Sequence, residues 1–277
     1  MPCYYPLQAF RCFGRTTDSG KSLITFKKPS ACRFEKLDLP CGSCIGCRLE
    51  RSRQWAMRCV HEARLYDNNC FITLTFDDDH LYRRDNPFSL DVADFQLFMK
   101  RLRKRYGEGI RFFHCGEYGE QYGRPHYHAC IFNHDFQDKR LWKSVNGNRL
   151  YISDELKELW PFGFSTIGDV TFQSAAYVAR YIMKKLHGKH KTEFDNYIIN
   201  GMECNFIDEI SGEVLLTRRQ EYVTMSRRPG IGKEWFDKNW RDVYVNGEDS
   251  VIMNGVKVRP PKYYDSQYEI VSPSDHE

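Results

Sequence analysis

Apolar side chains recur along this chain at two different spacings. Periods of three to four residues predict amphipathic helices over 48–66, 91–106, 151–160 and 173–187. Runs rich in β-branched and aromatic residues predict strands over 70–76, 110–115, 126–132 and 164–167. From residue 70 the order is β-α-β-β-α-β-α. This order is typical of an α+β domain with helices flanking a central antiparallel sheet.

The regions outside this pattern divide the chain into three parts. Residues 1–47 are rich in cysteine and lack periodicity, which predicts an irregular segment. Residues 48–190 hold the predicted core. Residues 191–277 form a C-terminal extension whose role the sequence leaves open, with the last dozen residues expected to be a tail.

Composition narrows the functional classes. The chain has 277 residues, 11 cysteines and a formal net charge of +4. It contains no stretch of about 18 apolar residues, so no membrane span is expected. It also shows no signal peptide, so we expect reduced thiols rather than disulfides. It carries no phosphate-binding loop, and therefore no nucleotide cofactor is expected.

Positive charges are clustered, which suggests contact with a polyanion. The residues expected to contact DNA phosphates are Arg101, Arg103, Lys104, Arg227 and Arg228. Trp55, Tyr118, Tyr122 and Tyr127 are candidates for stacking on unpaired bases. A solvated basic face without a ligand is the alternative explanation of the charges.

Two histidines flank one residue in a predicted strand. Side chains alternate along a strand, so His126 and His128 point to the same side and are able to hold one metal ion. Glu117 lies at the end of the preceding strand and is the expected third ligand, with Glu120 as the competing candidate. Two nitrogens and one oxygen suit Mg²⁺ or Mn²⁺ bound to a phosphate. Two solvent-facing histidines are the alternative.

Two tyrosines lie four residues apart in the last predicted helix. Tyr177 and Tyr181 therefore share one helix face, with Lys184 and Lys185 one turn further on. A phenol becomes a nucleophile when a nearby cation favours the phenolate. Packing against a core is the alternative role of such a pair.

Three cysteines are spaced C-x2-C-x2-C, which is typical of a metal site. Cys41, Cys44 and Cys47 are the three, and a fourth ligand is open among Cys3, Cys12 and Cys32. Structural Zn²⁺ is the expected ion, while an iron–sulfur cluster or free thiols are alternatives.

Three motifs in this order resemble the rolling-circle replication initiators of the HUH endonuclease superfamily. They are the strand Phe71–Phe76, the segment Gly123–His128 and the paired-tyrosine helix. Within that superfamily the chain looks like the replication initiation proteins of gokushovirus-type microviruses, which are small single-stranded DNA phages. Gly116–Gly119, Met225–Gly230 and the cysteine-rich start share this resemblance, which covers roughly residues 1–240.

The resemblance implies a fold, a site and a reaction. It implies a sheet of about five strands with the histidines on a central strand, metal ligation by His126, His128 and Glu117, and nucleophilic attack by Tyr177 and Tyr181. Origin DNA would be nicked through a 5′-phosphotyrosine and later rejoined. A host DNA polymerase and helicase would act on the product in the cytoplasm of the bacterial host. The opening Met-Pro-Cys also resembles this group, which favours Cys3 as the fourth cysteine ligand.

Other functions remain open at the level of the sequence. A transposase or plasmid relaxase would use the same chemistry. A metal hydrolase or a two-histidine-one-carboxylate oxygenase would not need Tyr177 or Tyr181. A zinc-stabilised DNA-binding protein would cut nothing and would not need His126 or His128.

Overall fold

The structure is a computed structural model. In it, the chain forms two compact units. The units are Met1–Arg51 and Ser52–Glu277. The described residues are 3–17, 22–119, 121–184, 198–199, 202–203, 205–207 and 214–272, with backbone only for 181–184 and for the short segments between 198 and 217. The predicted division at residue 190 lies outside them and stays a prediction.

A three-stranded antiparallel sheet forms most of the first unit. Its strands are β1 (Leu7–Thr16), β2 (Ser22–Thr25) and β3 (Phe34–Leu39), in the order β2-β1-β3. The prediction that residues 1–47 are irregular is therefore wrong. The pattern was hidden because the pairing of β1 with β2 shifts register between Arg11 and Thr16, near Gly14, whose φ of +71° suits glycine.

The predicted helices are present, with different ends. The helices among the described residues are α1 (Ile45–Ala63), α2 (Asp78–Tyr82), α3 (Val92–Tyr106), α4 (Asp154–Leu159), α5 (Phe172–Lys184), α6 (Lys233–Trp240) and α7 (Lys262–Val271), with a π-helical turn at Arg241–Val245. The Ser153 side chain accepts a hydrogen bond from the Leu156 backbone N–H, so α4 begins later than residue 151. The expected tail is wrong as far as Val271, because α7 buries Tyr264 and Tyr268.

A seven-stranded antiparallel sheet is the centre of the second unit. Its strands are β4 (Asn69–Thr75), β5 (Arg111–Tyr118), β6 (Pro125–Phe132), β7 (Arg140–Val145), β8 (Asn148–Ile152), β9 (Ser165–Gly168) and β14 (Tyr222–Met225), in the order β14-β5-β6-β4-β9-β8-β7. The expected α+β class is confirmed, but the sheet has seven strands rather than about five. The sequence did not predict β7, β8 and β14, because they are short and β7 is exposed throughout.

Short strands complete the list. They are β10 (Ile198–Ile199), β11 (Met202–Glu203), β12 (Asn205–Ile207), β13 (Val214–Thr217), β15 (Val251–Met253) and β16 (Val256–Val258), which pair as three separate hairpins.

Helices cover both faces of the seven-stranded sheet. Phe95, Phe98 and Leu102 of α3 pack with Ile72 and Ile131 on one face. On the other face, buried side chains of α5 pack against residues of β5 and β6 whose side chains point away from the α3 face. These are Ala175, Val178 and Ala179 against Phe113, Cys115, Cys130 and Phe132. None of the helices in the described ranges is both long and apolar enough to cross a membrane.

Candidate active site

The predicted metal ligands lie side by side on the α5 face of the sheet. Glu117 of β5 is directly opposite His126 of β6, and Cys115 is opposite His128. Residues that face each other across an antiparallel pair share a face, and so do residues two apart in a strand. The strand pairing therefore places Glu117, His126 and His128 together, and β6 is an interior strand as expected.

A continuous hydrogen-bonded chain links α5 to this group. The Tyr177 hydroxyl donates to Glu117 Oε1 at 2.6 Å. The same oxygen is 2.7 Å from His128 Nε2, and His128 Nδ1 is 2.9 Å from Thr73 Oγ1 on β4. A carboxylate only accepts hydrogen bonds, so His128 Nε2 carries a proton in this arrangement. Metal binding at Nε2 would require that proton to leave, with Thr73 Oγ1 then accepting from Nδ1–H. The tyrosine, carboxylate and histidine are thus held in mutual contact.

His126 is held by the backbone beside it. Its Nδ1 donates to the Arg124 carbonyl oxygen at 2.7 Å, which leaves the Nε2 lone pair available. A Cβ added to Gly119 would lie 2.8 Å from His126 Cε1, so the ring occupies space that only glycine leaves. Burial lowers the pKa of His126, which favours the neutral form that binds metals.

The residues of this group fit a divalent ion by their chemistry. Glu117 Oε2 is buried and has no hydrogen-bond partner among the described residues, so one carboxylate oxygen is free for another ligand. The His126 and His128 rings are nearly parallel, with centroids 6.5 Å apart. Their ligand atoms and that of Glu117 are not all within 4.8 Å of one another. Glu117 is hydrogen-bonded to His128 and Tyr177, whereas His126 is hydrogen-bonded to the Arg124 carbonyl instead. His126 would have to approach for all three to bind one ion.

The structure describes only the backbone of the second tyrosine and of the first lysine. Tyr181 and Lys184 belong to α5 by their backbone, but their side chains lie outside the described residues, as does Lys185 entirely. Glu120, the competing ligand, also lies outside them. Burial and the Glu117 carboxylate raise the pKa of Tyr177, so its phenol is protonated at neutral pH in this arrangement.

His114 lies on the opposite face of the sheet, as a structural residue. Its ring stacks on Phe95 with centroids 3.6 Å apart, and its Nδ1 is 2.9 Å from Thr224 Oγ1. Burial lowers the pKa of His114 well below its ordinary value.

Four cysteines converge in the first unit. The sulfur atoms of Cys3, Cys41, Cys44 and Cys47 all lie within 4.8 Å of one another, which is the set that the sequence favoured. Backbone N–H groups donate to these sulfurs, for example Cys44 N–H to Cys41 Sγ at 3.3 Å. Such bonds, with the one from Cys44 as the largest cause, lower the pKa of Cys41 to about 6. Thiolates are the form that binds metals. Which ion they hold stays a prediction.

The basic residues expected to contact DNA form two groups. Arg103, Arg227 and Arg228 line one surface cleft. Arg101 and Lys104 lie on α3, where Arg101 Nε donates to the Leu159 carbonyl oxygen at 2.9 Å and Lys104 is exposed. Because α3 covers the face away from Glu117, these two residues are not beside the candidate metal site. Their DNA contacts stay predictions.

The prediction of base stacking is wrong for two of the four aromatic residues. Tyr118 and Tyr127 are buried, and their hydroxyls accept hydrogen bonds from the Leu90 and Asp91 backbone N–H groups at the start of α3. Trp55 is half-buried against Phe113, whereas Tyr122 is exposed.

No sequence pattern singles out Thr73 or Gly119 as a site residue. Thr73 alternates with apolar residues in β4, as a partly exposed strand residue does, and its histidine partner is 55 positions away. Gly119 resembled an ordinary turn glycine. Knowledge of the strand register would have identified both.

Comparison with known proteins identifies the family. A family model described as "Replication-associated protein ORF2/G2P" matches residues 69–186, which include the histidine pair and both tyrosines. "Replication-associated protein VP4" of Bdellovibrio phage phiMH2K is 32% identical over 278 residues, which span 97% of this chain and 78% of that protein. "Replication-associated protein ORF2" of Spiroplasma virus 4 is 33% identical over 242 residues, which span 83% of this chain and 68% of that protein.

A third relative is "Replication-associated protein ORF4" of Chlamydia phage 1. It is 37% identical over 235 residues, which span 82% of this chain and 52% of that protein. No solved structure matches the chain. Two of these relatives exceed 30% identity over more than two thirds of their own length. The chain belongs to the family of replication-associated proteins of the microviruses.

Proposed function

We propose that this protein nicks single-stranded origin DNA of a phage and later rejoins it, with tyrosines as nucleophiles, to start rolling-circle replication. The observation that carries the proposal is the hydrogen-bonded chain from Tyr177 through Glu117 to His128. A nucleophile beside a polar group that is held by a further residue is the arrangement expected for covalent catalysis. The homologues that act in phage replication support the same role.

The proposed first step exchanges one phosphoester bond for another. The Tyr177 hydroxyl oxygen attacks the scissile phosphorus, a Tyr177 Oη–P bond forms and the P–O3′ bond breaks. The 5′ phosphate becomes linked to the protein, and the departing O3′ takes up a proton from water and leaves as a free 3′-OH. Glu117 Oε1, 2.6 Å from the hydroxyl, is placed to take the phenolic proton. No nucleotide cofactor is required, because the phosphotyrosine retains the energy of the broken bond.

The metal would be held by His126, His128 and Glu117. When bound, Mg²⁺ or Mn²⁺ supplies electrophilic polarisation of the phosphate. Thr73 orients His128 through Nδ1, and the Arg124 carbonyl orients His126 in the same way. Both rings are thereby held from the Nδ1 side, which would leave Nε2 of each ring for the metal.

The second tyrosine completes the cycle in this proposal. Tyr181 is one helical turn after Tyr177 and would cut the regenerated origin, after which the new 3′-OH attacks the first phosphotyrosine and closes a circle. Between the two cuts, a host DNA polymerase with a helicase would extend the first 3′-OH in the cytoplasm of the bacterial host.

Zn²⁺ would stabilise the first unit. Four sulfur ligands suit tetrahedral Zn²⁺, and backbone hydrogen bonds to the sulfurs of Cys41 and Cys44 favour their thiolates. The small sheet of this unit has few buried side chains, so a bound metal would contribute directly to its folding.

The test is a covalent adduct. The protein is incubated with Mn²⁺ and single-stranded origin DNA and is then run on a denaturing gel. We expect an adduct that the Tyr177→Phe and Tyr181→Phe double variant cannot form. His126→Ala should stop cleavage and retain DNA binding, since the proposal assigns this ring to the metal and assigns phosphate binding to other residues.

The outcomes separate the alternatives. DNA binding without any adduct would indicate a DNA-binding protein that does not cut, and would overturn the proposal. An adduct in the double variant would exclude both tyrosines as nucleophiles. Cleavage that depends on His126 but leaves no adduct would indicate a metal hydrolase.

A further inference from the structure

Two exposed aromatic rings contact each other near the candidate active site. Trp142 of β7 and Phe164, just before β9, have ring centroids 4.8 Å apart at an interplanar angle of 63°. Trp142 is 43% exposed and Phe164 is 49% exposed. Neither ring belongs to the buried hydrophobic clusters of the described residues. Core packing therefore does not account for the pair.

Phe164 lies on the same face of the sheet as the histidines. Thr75 of β4 is opposite His126, and its backbone N–H and hydroxyl both donate to the Phe164 carbonyl oxygen, at 3.0 and 2.8 Å. Thr166, two residues after Phe164, is opposite Thr73. Side chains two apart in an extended segment share a face, which places Phe164 on the face of Thr73 and therefore of His128.

The spacing suits a neighbouring nucleotide. Phe164 precedes β9 and His126 is in β6, and β4 lies between these two strands. Two spacings between neighbouring strands separate the residues, which is about 10 Å. A strand of DNA whose phosphate lies at the histidines would thus pass an exposed aromatic surface on its way across the sheet.

The strand that carries Trp142 is irregular at that residue. Leu141 pairs with Tyr151 and Lys143 pairs with Leu150, so Trp142 is an additional residue in β7. A bulge of this kind turns a side chain away from the regular alternation and is frequent beside functional sites. Here Trp142 contacts Phe164.

The surroundings of the pair are cationic. Lys143 Nζ lies 4.0 Å from the Trp142 ring centroid. The hairpin of β7 and β8, residues 140–152, contains Lys143 and Arg149 as well as Arg140, and no acidic residue. Arg140 is ion-paired with Asp154, just after the hairpin, at 2.8 Å, so Lys143 and Arg149 are the cations assigned to phosphate contact. Exposed aromatics among positive charges are the features by which proteins hold single-stranded nucleic acids, since the rings stack on bases and the cations attract phosphates.

We infer that Trp142 and Phe164 form a stacking surface for an unpaired base next to the scissile phosphate. This inference rests on the proposed function for its substrate, single-stranded DNA. It assigns to the β7–β8 hairpin, which the sequence did not predict, a role in positioning that strand. Double-stranded DNA would gain less from the surface, because its bases are already stacked.

The test compares binding by four proteins without divalent ions, so that cleavage does not contribute. These are wild type, Trp142→Ala, Phe164→Ala and the control Val145→Ala, which removes another exposed apolar side chain from the same hairpin. The probe is a fluorescein-labelled oligothymidylate, with a duplex of equal length as comparison. We expect at least about a fivefold loss of affinity for the oligothymidylate on removal of either ring, and no change for Val145→Ala.

A fifth protein tests whether stacking on the ring is the cause of the lost affinity. Trp142→Phe should restore most of the affinity lost in Trp142→Ala, because a ring of any kind can stack. Equal affinities of Trp142→Ala, Phe164→Ala and Val145→Ala, with unchanged melting temperatures, would overturn the inference, and so would equal losses on the duplex. Because the binding assay does not require DNA cleavage, its result can be interpreted even if the adduct experiment fails.

Discussion

The hydrogen bond between Thr73 and His128 provides a sharp test of the candidate metal site. Thr73→Val removes the hydroxyl 2.9 Å from His128 Nδ1 and retains the β-branched shape in β4. We expect weaker metal binding, because the ring loses the partner that fixes its orientation and tautomer.

The chain offers a matched control on the other face of the same sheet. Thr224 Oγ1 is also 2.9 Å from a histidine Nδ1, that of His114, which packs on Phe95 away from the site. Each variant leaves one buried ring nitrogen without a partner, at a cost of about 1–3 kcal/mol in the free energy of unfolding. Only Thr73→Val touches a candidate ligand, and loss of such an outer hydrogen bond weakens metal binding about 10- to 100-fold, or about 1.4–2.7 kcal/mol.

The assay is a titration of cleavage with Mn²⁺, together with thermal unfolding. We expect both variants to melt a few degrees lower than wild type, at about 2–4 °C per kcal/mol. The half-saturating Mn²⁺ concentration should rise about 10- to 100-fold for Thr73→Val alone, and excess Mn²⁺ should restore its rate. Equal Mn²⁺ dependence in Thr73→Val and Thr224→Val would refute the reasoning.

Three further predictions follow from neighbouring features. Gly119→Ala should also raise the Mn²⁺ requirement, since its Cβ would displace the His126 ring; a titration like that of wild type would contradict this. Elemental analysis should find Zn²⁺ in wild type and none in Cys44→Ser, which should also melt earlier because structural zinc contributes to folding; zinc-free wild-type protein would exclude the site. Burial lowers the pKa of His61 to about 3, below the unfolded value of about 6.5. The unfolded chain therefore binds the extra proton, and stability should fall as pH drops from 6.5 towards 3, by at most about 1.4 kcal/mol per pH unit. His61→Phe should flatten this slope in denaturant unfolding; an unchanged slope would assign the pH dependence to other groups.

Features that depend on local periodicity could be predicted from the sequence. Alternation along a strand placed His126 and His128 on one side, and helical spacing put Tyr177 and Tyr181 in one helix. The spacing of the three later cysteines likewise indicated a metal site. Cys3 is about forty positions away and was selected by resemblance, which the structure supports by bringing its sulfur to the other three.

Features that depend on pairing between distant segments needed the tertiary structure. The sequence did not show that β4 lies between β6 and β9, which is what brings Thr73 to His128 and the Phe164 carbonyl to Thr75. It did not show that β7, β8 and β14 extend the sheet to seven strands, because short or exposed strands have little apolar alternation. Hydrophobic periodicity fixes which way a side chain points within its own element, whereas register between strands fixes what it meets. The histidine pair was therefore evident from the sequence, and its contacts with Glu117, Tyr177 and Thr73 were decided by the fold.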